Sequence, residues 1–228
     1  VKWSWRLGEY AGIGVYIHAT FLLILAWVAL SHLASGHTLR GALGGIAFIL
    51  AIFGCVLLHE FGHALAARRF GIKTRDITLL PIGGVARLER MPEDPRQELV
   101  VALAGPAVNV VIAVALLVWL ILTSALAPLG SFGVASGSFI GRLLVVNVIL
   151  VIFNMIPAFP MDGGRVLRAI LAMRMEYTRA TQAAANLGQG LAMLFGLFGL
   201  LTGQFMLLFI ALFVWIGAAQ EASLVQMK

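Results

Sequence analysis

Residues 55–70 read CVLLHEFGHALAARRF. They close an apolar run that begins near Leu43. Two histidines and a glutamate, His59, Glu60 and His63, stand where a membrane helix ordinarily carries apolar side chains. Ionisable groups at membrane depth are costly, so three together call for a function or for buried partners. On a helix, positions i and i+4 share one face about a turn apart. The two imidazoles of His59-Glu60-Phe61-Gly62-His63 can therefore bind one zinc. The adjacent Glu60 can then deprotonate a water beside the metal. A polar cluster that only packs helices together is the competing reading, and it needs several buried hydrogen-bond partners.

Composition supports the membrane setting. Of 228 residues, 61% are hydrophobic and 11% charged, against about 45–50% and about 25% in soluble domains. The expected fold is an all-α polytopic membrane protein, a single domain over 1–228. Six transmembrane helices are expected at about 15–33, 43–70, 99–122, 139–156, 183–201 and 205–219, with spans two to four as the catalytic core. Small β elements are expected at the N-terminus (Trp3–His18) and in the loop between spans two and three, where 77–88 alternates and breaks at Pro81 and Gly83-Gly84. That loop, near 28 residues, is too short for an inserted soluble domain.

The basic residues orient the spans. With the N-terminus in the cytoplasm, 14 of the 16 lysines and arginines fall on the cytoplasmic side; only Arg40 and Arg142 fall outside. This positive-inside bias predicts a multi-pass protein of the cell membrane with both termini cytoplasmic. It accounts for the net charge of +6 without nucleic acid. The apolar stretch after the N-terminus is too long for a signal-peptide core, so the first span is expected to remain. The single cysteine, Cys55, excludes an intrachain disulfide and reads as a packing residue one turn before His59.

A catalytic zinc needs a third protein ligand and an open fourth position. Most acidic residues fall in loops or near chain ends. Asp162 stands apart, after span four in NMIPAFPMDGG (154–164). Pro157 and Pro160 stop the helix there, and Gly163-Gly164 are expected to let the chain turn. Its predicted depth, at the cytoplasmic end of span four, matches that of His59 and His63. The alternative is that Asp162 caps the basic helix that follows.

HEFGH in a span followed by NMIPAFPMDGG resembles the site-2 protease family of intramembrane zinc metalloproteases. PIGG (81–84) and AGPAVN (104–109) resemble further signatures of that family. The resemblance runs from about Gly12 to Glu221. It implies that His59, His63 and Asp162 bind one Zn2+, that Glu60 is the general base, and that Asn154 lies in the active-site cavity as a further catalytic residue. Met161 stands where leucine is more usual. The chain resembles the compact prokaryotic subgroup whose C-terminus often continues into paired CBS domains.

The reaction this implies is peptide-bond hydrolysis in or near a transmembrane segment. The implied partners are the lipid bilayer and a single-span membrane substrate, such as an anti-sigma factor. A substrate helix must be drawn out extended, and Ile82, Gly83, Gly84 and Val85 are expected to supply the strand onto which it adds. Gly105, Pro106 and Asn109 read as residues of close helix packing. His18, His32 and His37 read as interfacial, and Arg165 and Arg168 as anchors at the cytoplasmic face. A zinc transporter or metal sensor would carry polar residues through the full membrane depth on several spans. An inactive helix-binding scaffold has no need of Glu60 alongside three ligands.

Overall fold

The computed structural model describes residues 3–36, 38–81, 83–90, 92, 94–123 and 137–226. Ile82 and His37 lie outside the described residues. The described chain is mostly helical. Two strands, β1 (Ser4–Tyr10) and β2 (Ile13–His18), precede helices α1 (Phe21–Ala34) and α2 (Leu39–Arg69). Strands β3 (Thr74–Leu80) and β4 (Gly83–Leu88) follow. The remainder is helical: α3 (Pro95–Leu122), α4 (Phe139–Asn154), α5 (Asp162–Ala172), α6 (Tyr177–Thr202) and α7 (Phe205–Gln226). Two compact units result, Val1–Met91 with Ala107–Val151, and Pro92–Pro106 with Ile152–Lys228.

Among the described residues four helices, α2, α3, α6 and α7, are long and apolar enough to cross a membrane. Helices α1 and α4 are apolar but have only 14 and 16 residues, against the roughly 20 that a bilayer core requires. The first expected span is shortened because Val15–His18 belong to β2 instead. In both units large apolar side chains are exposed, Leu23 and Trp27 on α1 and Phe209 and Leu212 on α7 among them. His59, Asn109, Asn147, Glu98, Arg168 and Asp162 are buried. This inversion of the water-soluble pattern suits a chain solvated by lipid.

In the first unit, the four strands form one sheet in the order β1-β2-β3-β4. The expected N-terminal hairpin is present, β1 pairing antiparallel with β2 across Ala11-Gly12. β2 pairs parallel with β3, which requires a crossover, and α1 and α2 provide it. β3 and β4 pair antiparallel. Ile13 and Ile77 of the sheet pack with Ala64 of α2, beside Leu57 and Phe61. Phe21 of α1 meets Phe53 of α2 edge to face, ring centroids 4.6 Å apart. On another part of α2, Phe48 and Cys55 pack with Leu143 and Val146 of α4 and with Ile112 and Leu116 of α3.

In the second unit, α6 and α7 form a hairpin at Gly203, whose φ of 67° places it in the left-handed region. Gln204 N donates to Gly199 O at 2.9 Å and ends α6 in the usual glycine manner. Ala158 and Met161, in the segment before α5, pack with Ala192 of α6 and Val214 of α7. Phe159 packs with Ala184, Ala185 and Ala218. Arg168 of α5, 1% exposed, joins three helices. Its Nε donates to Glu98 Oε1 of α3 at 2.8 Å and its Nη1 to Glu221 Oε2 of α7 at 3.0 Å. The expected surface anchor is thus an internal tie. Burial lowers the Arg168 pKa, but Glu98, Tyr177 and Glu221 outweigh it and hold the guanidinium above its ordinary value.

Candidate metal centre

Cys55, His59 and His63 follow one another at four-residue spacing along α2, and all three are buried. His59 and His63 are 6% and 5% exposed. Their rings meet edge to face with centroids 4.7 Å apart. Their Nε2 atoms are 3.1 Å apart. Two nitrogens bound at about 2.0–2.1 Å to one tetrahedral zinc sit roughly 3.3 Å apart, so the pair already has the spacing of two ligands of one ion.

The orientation of His59 is held from its other nitrogen. Nδ1 lies 2.5 Å from Asn109 Oδ1 on α3. Asn109 is wholly buried and donates through Nδ2 to Asn147 Oδ1 on α4 at 2.9 Å. An Nδ1–H on His59 leaves the Nε2 lone pair for a metal, an arrangement typical of histidine ligands. The sequence reads Asn109 as a residue of helix packing, and the structure gives it this polar contact as well. In the sequence it stands 50 residues from His59 in an apolar span. The available signal was the cost of an amide there, which demands a buried partner without naming it.

Glu60 is half-buried and faces β4. Ala86 N donates to Glu60 Oε2 at 3.2 Å. The approach is close: a Cβ placed on Gly84 would lie 2.6 Å from Glu60 Cγ and 3.2 Å from Val56 Cγ1. Only glycine lets the strand run so near the helix that carries the carboxylate. β4 ends the sheet order, paired with β3 through Leu79↔Gly84 and Thr78↔Val85. Gly83, Gly84 and Val85 therefore sit on an edge strand, with the Val85 side chain exposed. Asp76 of β3 holds Arg87 of β4 by two hydrogen bonds, Nε to Oδ1 at 2.8 Å and Nη2 to Oδ2. These bonds with Asp76 raise the Arg87 pKa.

Asp162 and Asn154 belong to the second unit. Asn154 is the last residue of α4 and is half-buried. Asp162 is 6% exposed and is the first residue of α5. The N-cap position is held by Met161, so Asp162 is not the cap of that helix. The two glycines after it do not make the turn, which lies before them; they form the first turn of α5. A Cβ on Gly163 would collide with the carbonyl oxygens of Met155 and Ile156. One on Gly164 would lie 2.6 Å from Ala158 C and Phe159 N. Asp-Gly-Gly thus opens a helix pressed against the preceding backbone, and Asp162 is buried there.

The chain is similar to several known proteins. The sequence pattern of Peptidase family M50 matches residues 47–197. A zinc metalloprotease of Methanocaldococcus jannaschii is 37% identical over 228 residues, 100% of this chain and 63% of that protein. A putative zinc metalloprotease of Synechocystis is 35% identical, over 98% of this chain and 61% of its own length. The chain thus spans about three-fifths of the length of these curated relatives. Among solved structures, a site-2 protease from Methanocaldococcus jannaschii superposes with a TM-score of 0.68 at 37% identity, covering 96% of this chain and 95% of that one.

Proposed function

Since the chain belongs to Peptidase family M50, we propose that it is an intramembrane zinc metalloprotease that cleaves membrane proteins in or near their transmembrane segments. The observation that carries this reading is the buried His59–His63 pair, Nε2 to Nε2 at 3.1 Å, with Glu60 beside it on the same helix. Two imidazoles and a carboxylate are a donor set that suits one zinc. We assign His59 and His63 as two of the ligands and buried Asp162 as the third. Zinc held there would acidify a water and polarise the scissile carbonyl.

The remaining steps belong to the protein's own groups. Glu60 accepts the proton of the attacking water and returns it to the leaving amine. Its hydrogen bond from Ala86 N holds the carboxylate in place for that transfer. The edge of β4 at Gly83, Gly84 and Val85, with Ile82 preceding it, receives the unwound substrate as an added strand. Asn154 donates a hydrogen bond to the carbonyl oxygen as negative charge develops on it. Burial of the histidines keeps bulk water from the site, so these charges act in a low dielectric.

As an integral membrane protein, the chain is proposed to cross the bilayer six times, α1 and α4 joining the four longer helices, with both termini cytoplasmic. Its substrate is proposed to be a single-span membrane protein such as an anti-sigma factor. The test uses purified wild type and Glu60→Gln in detergent, zinc per chain, and a single-span substrate with an unfolded juxtamembrane segment. One zinc in both and cleavage by wild type alone supports the assignment. Cleavage by Glu60→Gln overturns the role of Glu60, and a folded wild type that takes up no zinc overturns the metalloprotease reading.

A further inference from the structure

Three side chains of the first unit form a polar chain with a fixed direction. An asparagine amide donates only from Nδ2 and accepts only at Oδ1, and a backbone carbonyl only accepts. Asn147 Nδ2 donates to the Leu143 carbonyl, one turn earlier on α4, at 2.9 Å. The same Nδ2 lies 3.4 Å from Cys55 Sγ, one turn before His59 on α2. Oδ1 of Asn147 must then face away from that carbonyl. It accepts from Asn109 Nδ2 at 2.9 Å. Asn109 therefore turns its own Oδ1 to His59, 2.5 Å from Nδ1. An acceptor at that point requires the proton on Nδ1. The neutral ring then carries its lone pair on Nε2, the atom that faces His63 Nε2.

We propose that Asn109 and Asn147 form a directional relay, set by the Leu143 carbonyl, that fixes His59 in the Nδ1–H tautomer and aims its Nε2 lone pair at the metal. Both asparagines are positioning residues, and the proposal rests on the reading of His59 as a zinc ligand. Both amides are wholly buried. A reversed amide would set oxygen against oxygen at one joint of the chain, where no water screens the repulsion. The relay runs from α4 through α3 to the proposed metal ligand on α2.

The test measures zinc affinity of the purified full chain in detergent, by competition with a chromophoric chelator. The variants are His59→Ala, Asn109→Ala, Asn147→Leu, Asn109→Asp and the Asn109→Asp/Asn147→Leu double variant. 15N NMR of the metal-free wild type reads the His59 tautomer. Asn109→Ala is expected to weaken zinc by about 10–100-fold, the usual cost of losing a ligand's orienting partner. Asn147→Leu frees the Asn109 amide to reverse and is expected to cost about tenfold. Asn109→Asp alone faces Asn147 Oδ1 with a second oxygen and binds zinc weakly. In the Asn147→Leu background the same aspartate is expected to restore affinity to within about threefold of wild type. Packing alone would not reverse the sign of one substitution in this way.

Unchanged zinc affinity in Asn109→Ala overturns the relay, as does a double variant no tighter than Asn147→Leu. An Nε2–H tautomer in the wild type does so independently, whatever the folding of the variants. If His59→Ala keeps wild-type affinity, the zinc assignment itself fails. If His59→Ala loses zinc while Asn109→Ala keeps it, the relay alone fails.

Discussion

The amide of Ala86 donates to the Glu60 carboxylate at 3.2 Å, which ties the edge of a four-stranded sheet to the helix that carries the two histidines. The strand and the proposed base are thereby held in register before any substrate arrives.

Glu60→Gln keeps the shape of the side chain and removes its basicity. Zinc content is expected to stay at the wild-type level while the cleavage rate falls by about 100-fold or more. Metal analysis and a gel-based cleavage assay on the same preparation check both halves.

Gly84→Val tests the approach of β4 to α2. Its Cβ would begin 2.6 Å from Glu60 Cγ, so strand or carboxylate must shift. Cleavage is expected to fall by about 100-fold, as misplaced catalytic groups do, with zinc content unchanged. Equal loss of zinc and cleavage would instead mark a general collapse of the unit.

Asp162→Ala removes the proposed third ligand. Zinc affinity is expected to drop by more than about 100-fold, beyond the range seen for loss of an outer partner. Chelator competition reads the change. Unchanged affinity would assign Asp162 to the first turn of α5 alone, where a carboxylate also suits the helix dipole.

Arg168→Met leaves Glu98 buried without its cation. Both side chains are 1% exposed, and stranding one member of such a pair costs about 3–5 kcal/mol. A lower unfolding temperature in detergent is expected. Adding Glu98→Gln to the same chain should recover part of it, because no unpaired charge then remains buried.

The helices were legible wherever an apolar run was long. Helices α2, α3, α6 and α7 begin and end within a few residues of the expected limits, apart from an earlier start of α6 and a later end of α7. The short elements were less so. The first span lost Val15–His18 to β2, because a parallel pairing with Gly14–Ile17 opposite Asp76–Leu79 is a long-range choice that local composition does not carry. Arg168 read as a surface anchor because its partners, Glu98 and Glu221, stand 70 and 53 residues away.

At the candidate site the division is equally physical. That His59 and His63 share a face with Glu60 next to them follows from the local sequence, because the helix repeat sets that geometry within five residues. That the chain suits lipid follows as well, from its apolar runs and scarce charges. Which amide orients His59, which strand lies against Glu60, and what Gly84 and Gly163 make room for emerge only from the folded chain. Each of these is a contact between segments distant in the chain, fixed by packing and by the hydrogen bonds that buried polar groups must find.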